Sequence, residues 1–129
     1  DSSNGEVYFK RAKSYILAQE YEKAERDLYI ADSLKYVQIE ISFYWGLVYF
    51  KQEQFQKALS FFEQALQKGY QNDSFYAYIA ETYANLNKNK EAEEFYEKAI
   101  MLNSTDTDLY WLRANFYVKL IFFIIFKIA

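Results

Sequence analysis

Tyr15, Tyr49, Tyr83 and Tyr117 stand 34 residues apart, and no other feature limits the possible folds as sharply. Three residues before each is a small side chain: Ala12, Gly46, Ala80 and Ala114. Ala24, Ala58 and Ala92 recur at the same interval, followed four residues on by Leu28, Phe62 and Tyr96, and then by Ala31, Ala65 and Ala99. Small and large side chains therefore fall in register in three successive stretches. A fixed period of this size describes stacked copies of one supersecondary unit, none of which can bury its apolar face alone.

Each unit divides into two amphipathic helices. In "SFYWGLVYF", Ser42, Gly46 and Tyr49 share one face at i, i+4, i+7 spacing. In "KALSFFEQALQKG", Ala58, Phe62 and Ala65 do the same, and Gly69 is placed to end the helix. Between them "KQEQFQ" is polar apart from Phe55 and can turn. Two helices approach closely only where one offers no bulk, and a large ring on the next turn fills the space beside the contact. The spacing predicts first helices near 5–18, 39–52, 73–86 and 107–119, and second helices near 21–34, 55–68 and 89–102. "NDS" at 72–74 and "STDTD" at 104–108 read as N-caps.

Composition agrees with a helical chain. The 129 residues suit one domain. There is no Pro and only three Gly, too few turn residues for a β-rich fold. The absence of His and Cys removes disulfides, thiolate nucleophiles, imidazole bases and the common zinc ligand sets together. No cofactor or metal is expected, and no catalytic residue. A net charge of −3, without any basic run longer than two, argues against a nucleic-acid partner. The 14 Tyr and 12 Phe fall mostly on repeat slots, so packing explains them better than base stacking does. The first residue is Asp1 and not Met, as expected of a fragment or a processed product.

Two acidic clusters, "EYEKAERD" at 20–27 and "KEAEEFYEKA" at 90–99, place carboxylates at helical spacing beside Lys23, Lys90 and Lys98. Surface ion pairing accounts for them, since nothing supplies a cleft or a second catalytic residue type. "NLNKNKE" at 85–91 lacks the spaced Asp of a calcium loop and reads as the turn between two helices. Gly5, Gly46 and Gly69 make no phosphate-binding loop.

The repeated pattern resembles the tetratricopeptide repeat, in which W-x2-L-G-x2-Y is followed by A-x3-F and then P. The second unit matches as Trp45-Gly46-x2-Tyr49, then Ala58-x3-Phe62. The third reads Tyr76-x2-Ile79-Ala80-x2-Tyr83, then Ala92-x3-Tyr96. The first reads Tyr8-x2-Arg11-Ala12-x2-Tyr15, then Ala24-x3-Leu28, and a fourth begins as Tyr110-x2-Arg113-Ala114-x2-Tyr117. The implied fold is an all-α, right-handed α-solenoid of about 3.5 helix-turn-helix repeats. Units fall near 5–38, 39–72, 73–106 and, in part, 107–119, making one repeat domain over 1–119. Two departures stand out. Tyr36, Tyr70 and Ser104 replace the family's proline, which is expected to leave the turns between units less rigid. Arg11 and Arg113 occupy a slot that is usually apolar.

The resemblance implies a non-enzymatic scaffold or adaptor, whose first helices line a concave groove for an extended peptide or a partner helix. Carried over slot by slot, the groove holds Phe9, Lys13, Phe43, Leu47, Phe50, Glu81, Trp111 and Asn115. Ile16, Ala77, Ala84 and Val118 complete that inner face, Tyr44 and Tyr78 flank it, and Lys51 and Asn85 lie at its edge. Aromatic anchors in a concave site are typical binding hot spots, although rings at helical spacing also serve as core. The family's clamp for a C-terminal carboxylate uses Lys, Asn and Arg. Its slots hold Phe9, Lys13, Tyr44, Ser74 and Tyr78 here, so the expected partner is a protein or peptide with apolar or aromatic anchors.

The fourth unit starts correctly and then departs from the pattern. After Tyr117 comes "VKLIFFIIFKIA", with no polar turn and with Phe126 where the next Ala belongs. Residues 120–129 are expected to continue the last helix. Four readings of the run from Leu120 through Ile121, Phe122, Phe123, Ile124, Ile125 and Phe126 compete. From Phe116 to Ala129 a helix reaches about 21 Å, short of a hydrocarbon core of about 30 Å, so a membrane contact would be a truncated span. An intramolecular cap would need a polar outer side, which this segment lacks apart from Lys119 and Lys127. Packing against a second copy of the chain fits an apolar segment better, and a homo-oligomer through residues 120–129 is the reading favoured here. A shifted reading frame would also end the pattern abruptly.

Overall fold

The computed structural model describes residues 2–128. Among them are seven α-helices and no strand. They are α1 (Ser2–Leu17), α2 (Tyr21–Ser33), α3 (Ile41–Lys51), α4 (Phe55–Gln67), α5 (Asp73–Asn85), α6 (Asn89–Leu102) and α7 (Thr107–Ile128). The chain forms two compact units, one ending at Tyr70 and the next beginning at Gln71. The first contains the antiparallel pairs α1–α2 and α3–α4, and the second contains the pair α5–α6 followed by α7.

The 34-residue period is written into the backbone as well as the side chains. Gln19, Glu53 and Asn87, each ending a first helix, adopt φ of 62°, 59° and 61°. Their N–H groups donate to the carbonyls of Ile16, Phe50 and Ala84, and the next N–H, of Glu20, Gln54 and Lys88, reaches back to Tyr15, Tyr49 and Tyr83. That pairing is a Schellman closure of the helix end. Two of the second helices finish the same way, at Lys35 (φ 56°) and Gly69 (φ 85°). Only Gly69 enters this left-handed region without a Cβ penalty. Helix starts follow the expected caps: Asn72 Oδ1 accepts from Phe75 N at 3.2 Å, and Asp106 Oδ1 from Asp108 N at 2.9 Å.

Tyr36 and Tyr70 bear directly on the missing prolines. Their N–H groups, which proline would lack, donate to Ala31 O and Ala65 O at 3.0 Å and complete the helix closure. Their rings then pack on Phe9 at 5.6 Å and on Phe43 at 5.3 Å between centroids. A hydrogen bond and a ring contact thus stand at these two positions where proline would have neither.

Packing within each helix pair rests on two kinds of contact. In the first, a small and a large slot 16 residues apart hold Ala12 and Leu28, Gly46 and Phe62, and Ala80 and Tyr96. All six are buried. At Gly46 the approach is so close that a Cβ would overlap the Phe62 ring. In the second contact, large groups cover the outer side of the pair. Trp45 stacks on Phe61 at 5.6 Å, and Tyr49 stacks on the same ring. Phe95, in the equivalent slot of α6, stacks on Tyr83 at 5.7 Å.

In the first pair that second contact is polar. Arg11 Nε and Nη2 donate to the Asp27 carboxylate at 2.6 and 2.8 Å, a two-pronged pair. Asp27 is buried, while the Arg11 stem stays half exposed between the rings of Tyr8 and Tyr15. Hydrogen bonding to Asp27 raises the Arg11 pKa further above its already high value. The unexpected Arg11 is therefore explained by Asp27, its partner one helix on.

Two outcomes follow. Gly46→Ala should lower unfolding stability by about 1–3 kcal/mol, because the fully buried Phe62 ring cannot retreat cheaply, and a urea denaturation midpoint reads this. Arg11→Leu alone should destabilise by leaving a buried carboxylate unpaired. Adding Asp27→Phe should restore stability by writing in the ring contact that the second unit's slots use. If the double variant melts no higher than Arg11→Leu, the equivalence of the two contacts is wrong.

Candidate functional site

The inner residues of the first unit lie on α1 and α3, and most of their rings are already used. Phe9 is only 2% exposed and sits between Tyr36 and Tyr44, the latter edge-on at 5.4 Å. Phe43 is buried against Tyr44, Phe62 and Tyr70 at 5.0, 6.0 and 5.3 Å. Together they make one row of rings, Tyr36–Phe9–Tyr44–Phe43–Tyr70. Leu47 is buried as well. Phe9, Phe43 and Leu47, expected to line an open groove, are therefore core residues. For Phe9 and Phe43 the covering rings are Tyr36 and Tyr70, which stand in the proline slots.

What the first unit still shows is polar or half-buried. Lys13 Nζ lies 5.3 and 5.2 Å from the Phe9 and Tyr44 ring centres and 4.0 Å from Glu40. Phe50 is half-buried, edge-on to Phe55 at 5.6 Å, and Lys51 is exposed at the end of α3. Burial pushes the Tyr70 hydroxyl up to about 12, with Tyr44 and Glu40 adding to the shift.

The second unit is different. Between α5, the α5–α6 turn and α7 lies an open pocket of about 400 Å³. Glu81, Ala84 and Asn85 of α5 form one wall, and Asn87 of the turn and Asn89 at the start of α6 form its rim. The opposite wall comes from α7, where Trp111, Asn115, Lys119 and Phe123 follow one another at i+4 steps with Leu112, Phe116 and Leu120 beside them. Tyr96 of α6 closes the floor. Buried there, with Glu81 adding to the effect, its hydroxyl is raised far above the ordinary tyrosine range and stays protonated. The pocket is thus an apolar trough edged by four amides, one carboxylate and one ammonium. Amides of this kind can donate to and accept from a peptide backbone, and the trough can take an apolar side chain.

Glu81, Asn85, Trp111 and Asn115 come together on this one pocket. Tyr78 lies half-buried on α5 outside its lining. Sequence reasoning passed over Asn87, Asn89, Tyr96 and Lys119. The sequence places both Asn residues in the turn; Asn87 lies there, Asn89 opens α6, and their nearness to Asn85 is the available signal. Leu120 and Phe123 are expected from the sequence in the assembly tail. Leu120 instead packs on the cluster of Ala80, Ala92, Tyr96 and Phe116, and both line the pocket.

The chain was compared with known proteins. A family model described as tetratricopeptide repeat matches residues 49–119, more than half of the chain. No curated protein sequence matches. Among solved structures, the first TPR of Spaghetti (RPAP3) bound to the HSP90 peptide SRMEEVD aligns with a TM-score of 0.81 at 18% identity, covering 93% of this chain and 95% of that one. YrrB, a TPR protein with an unusual peptide-binding site, aligns at 0.73 and 25% identity, over 81% of this chain and 54% of that one. The TPR domain of Arabidopsis FLU aligns at 0.69 and 23%, over 81% and 98%. The chain spans about half the length of YrrB. The shared fold is an all-α helical repeat solenoid.

The raised Tyr70 pKa sets a pH dependence. The folded unit holds the proton that an unfolded tyrosine releases near pH 10, so stability should fall as pH rises from about 10 to about 12. Tyr70→Phe should shallow that alkaline loss, measured by urea midpoints from pH 9 upward, while leaving the midpoint at pH 7 much less affected.

Proposed function

Because the chain belongs to the tetratricopeptide repeat family, we propose that it is a non-enzymatic protein-interaction module whose partner enters the pocket between α5 and α7. The observation that carries this is the composition of that pocket: an apolar trough of about 400 Å³ with Trp111 exposed at its edge and Asn85, Asn87, Asn89 and Asn115 around it. An extended peptide supplies backbone groups for the amides and one aromatic or aliphatic side chain for the trough. Two of the similar structures are described as peptide-binding repeats, which supports a peptide as the partner class.

The chemistry at the carboxylate-clamp slots points away from a partner read by its terminal carboxylate. Phe9 and Tyr44 are rings of the packed row, and the one cation, Lys13, rests on those rings beside Glu40. Tyr78 and Ser74 bring no positive charge. An anchor side chain, and not a chain end, is the feature recognised.

The test is calorimetric titration with a peptide library displaying one aromatic or aliphatic anchor, each peptide made with a free and an amidated C-terminus. Anchored peptides should bind, capping should change little, and Trp111→Ala should weaken binding about 10–100-fold. Phe43→Ala, a core change, should lower the melting temperature instead. Binding that ignores the anchor and survives Trp111→Ala would sink the proposal.

A further inference from the structure

The last helix has a second face, and its residues follow a heptad rule. Trp111, Ala114, Val118, Ile121, Ile125 and Ile128 are spaced 3, 4, 3, 4 and 3 residues apart, the seam of a helix that pairs side by side with another. Every one of them is exposed, Trp111 by 64%, Ile121 by 56% and Ile125 by 54%. No charged residue lies on this seam, while Lys119 and Lys127 stand off it. The opposite side of α7 carries Phe116, buried in the second unit, and Phe123, which lines the pocket. One side of the helix is thus held by its own unit and the other is left apolar and wet.

We infer that this seam is a homotypic interface, in which α7 of one chain packs along α7 of a second copy about a two-fold axis. The spacing requires a helix of matching periodicity as the partner. A second copy presents the same seam, and a two-fold pair brings it onto itself. β-Branched Val118 and Ile125 in one row, with Ile121 and Ile128 in the other, supply the interlocking side chains. The area is sufficient. With Phe122 and Ile124 flanking the seam and similarly exposed, the large side chains offer on the order of 700 Å² per copy, taking roughly half of what a large residue buries. A standard interface takes about 800 Å² from each partner.

A bilayer is the other environment for such a helix, because its 22 residues match a hydrocarbon core in length, which the shorter estimate from Phe116 onward missed. The packing disfavours it. Leu109 and Phe116 are buried in the repeat unit, so the first half of α7 is held by protein contacts that a bilayer span would have to give up. The seam also runs back alongside the unit to Trp111, as lateral pairing requires and end-on insertion does not.

Trp111 belongs both to the start of the seam and to the pocket wall, so the test leaves it untouched and reads assembly alone. Light scattering across a concentration series, without detergent, should give a dimer or larger for the unaltered chain. Ile121→Glu with Ile125→Glu should give a monomer at concentrations where the unaltered chain is fully assembled. Phe126→Glu, a still more exposed apolar site off the seam, should remain assembled. Circular dichroism checks that both variants keep their helices, as expected for exposed positions. Three results overturn the inference: an unaltered chain that stays monomeric, assembly lost equally in Phe126→Glu, or a monomer that partitions onto lipid vesicles.

Discussion

Everything in this fold depends on helices being allowed to touch where one side chain is nearly absent. Gly46 against Phe62 is the extreme case, with Ala12–Leu28 and Ala80–Tyr96 as its neighbours in the series. A small residue alone would leave a void, and a large one alone would hold the helices apart. The pair fixes both the distance and the register of the two helices, and every other slot in the 34-residue unit inherits its position from that contact. The outer slots then tolerate variety, so a ring stack in the second repeat and an Arg11–Asp27 ion pair in the first repeat serve the same place.

The inner faces of the two units have diverged through one kind of substitution. Tyr36 and Tyr70 stand where the family has proline, and each is matched by a phenylalanine, Phe9 and Phe43, in its own repeat. The result is a filled inner side. In the next repeat the same two slots hold Ala77 and Ser104, and no ring row forms. Ala77 packs with Ala99 and Leu109 instead, and the open space lies further along, between α5 and α7. Aromatic content alone therefore misleads about binding: many of the rings hold the protein together, and Trp111, the exposed ring at the pocket edge, sits where the row is absent.

The α7 helix joins three roles in one segment. Its buried residues close the second unit, its next row walls the pocket, and its exposed heptad row is free of charge. A continuous helix permits this because positions three, four and seven apart present separate stripes. The apolar run that follows Tyr117 thus resolves into residues facing two directions, which a count of hydrophobic letters could not separate.

Much of the fold was legible in the sequence. The period, the seven helices to within a few residues, the Asn72 cap and the Gly69 ending all follow from spacing and from local backbone chemistry, which act over a few residues. The identity of the pocket was partly legible: Glu81, Asn85, Trp111 and Asn115 were marked by repeat slot alone. What only the tertiary structure decided was which marked residues are open. Phe9 and Phe43 share slots with groove residues, yet each is covered by a ring, Tyr36 or Tyr70, that lies 27 residues away along the chain. Likewise Asn87, Lys119 and Phe123 belong to one cavity only because three helices meet there. Periodicity tells which face of a helix a side chain occupies, but exposure depends on what other segments place against that face. That is a property of packing, and no single stretch of sequence contains it.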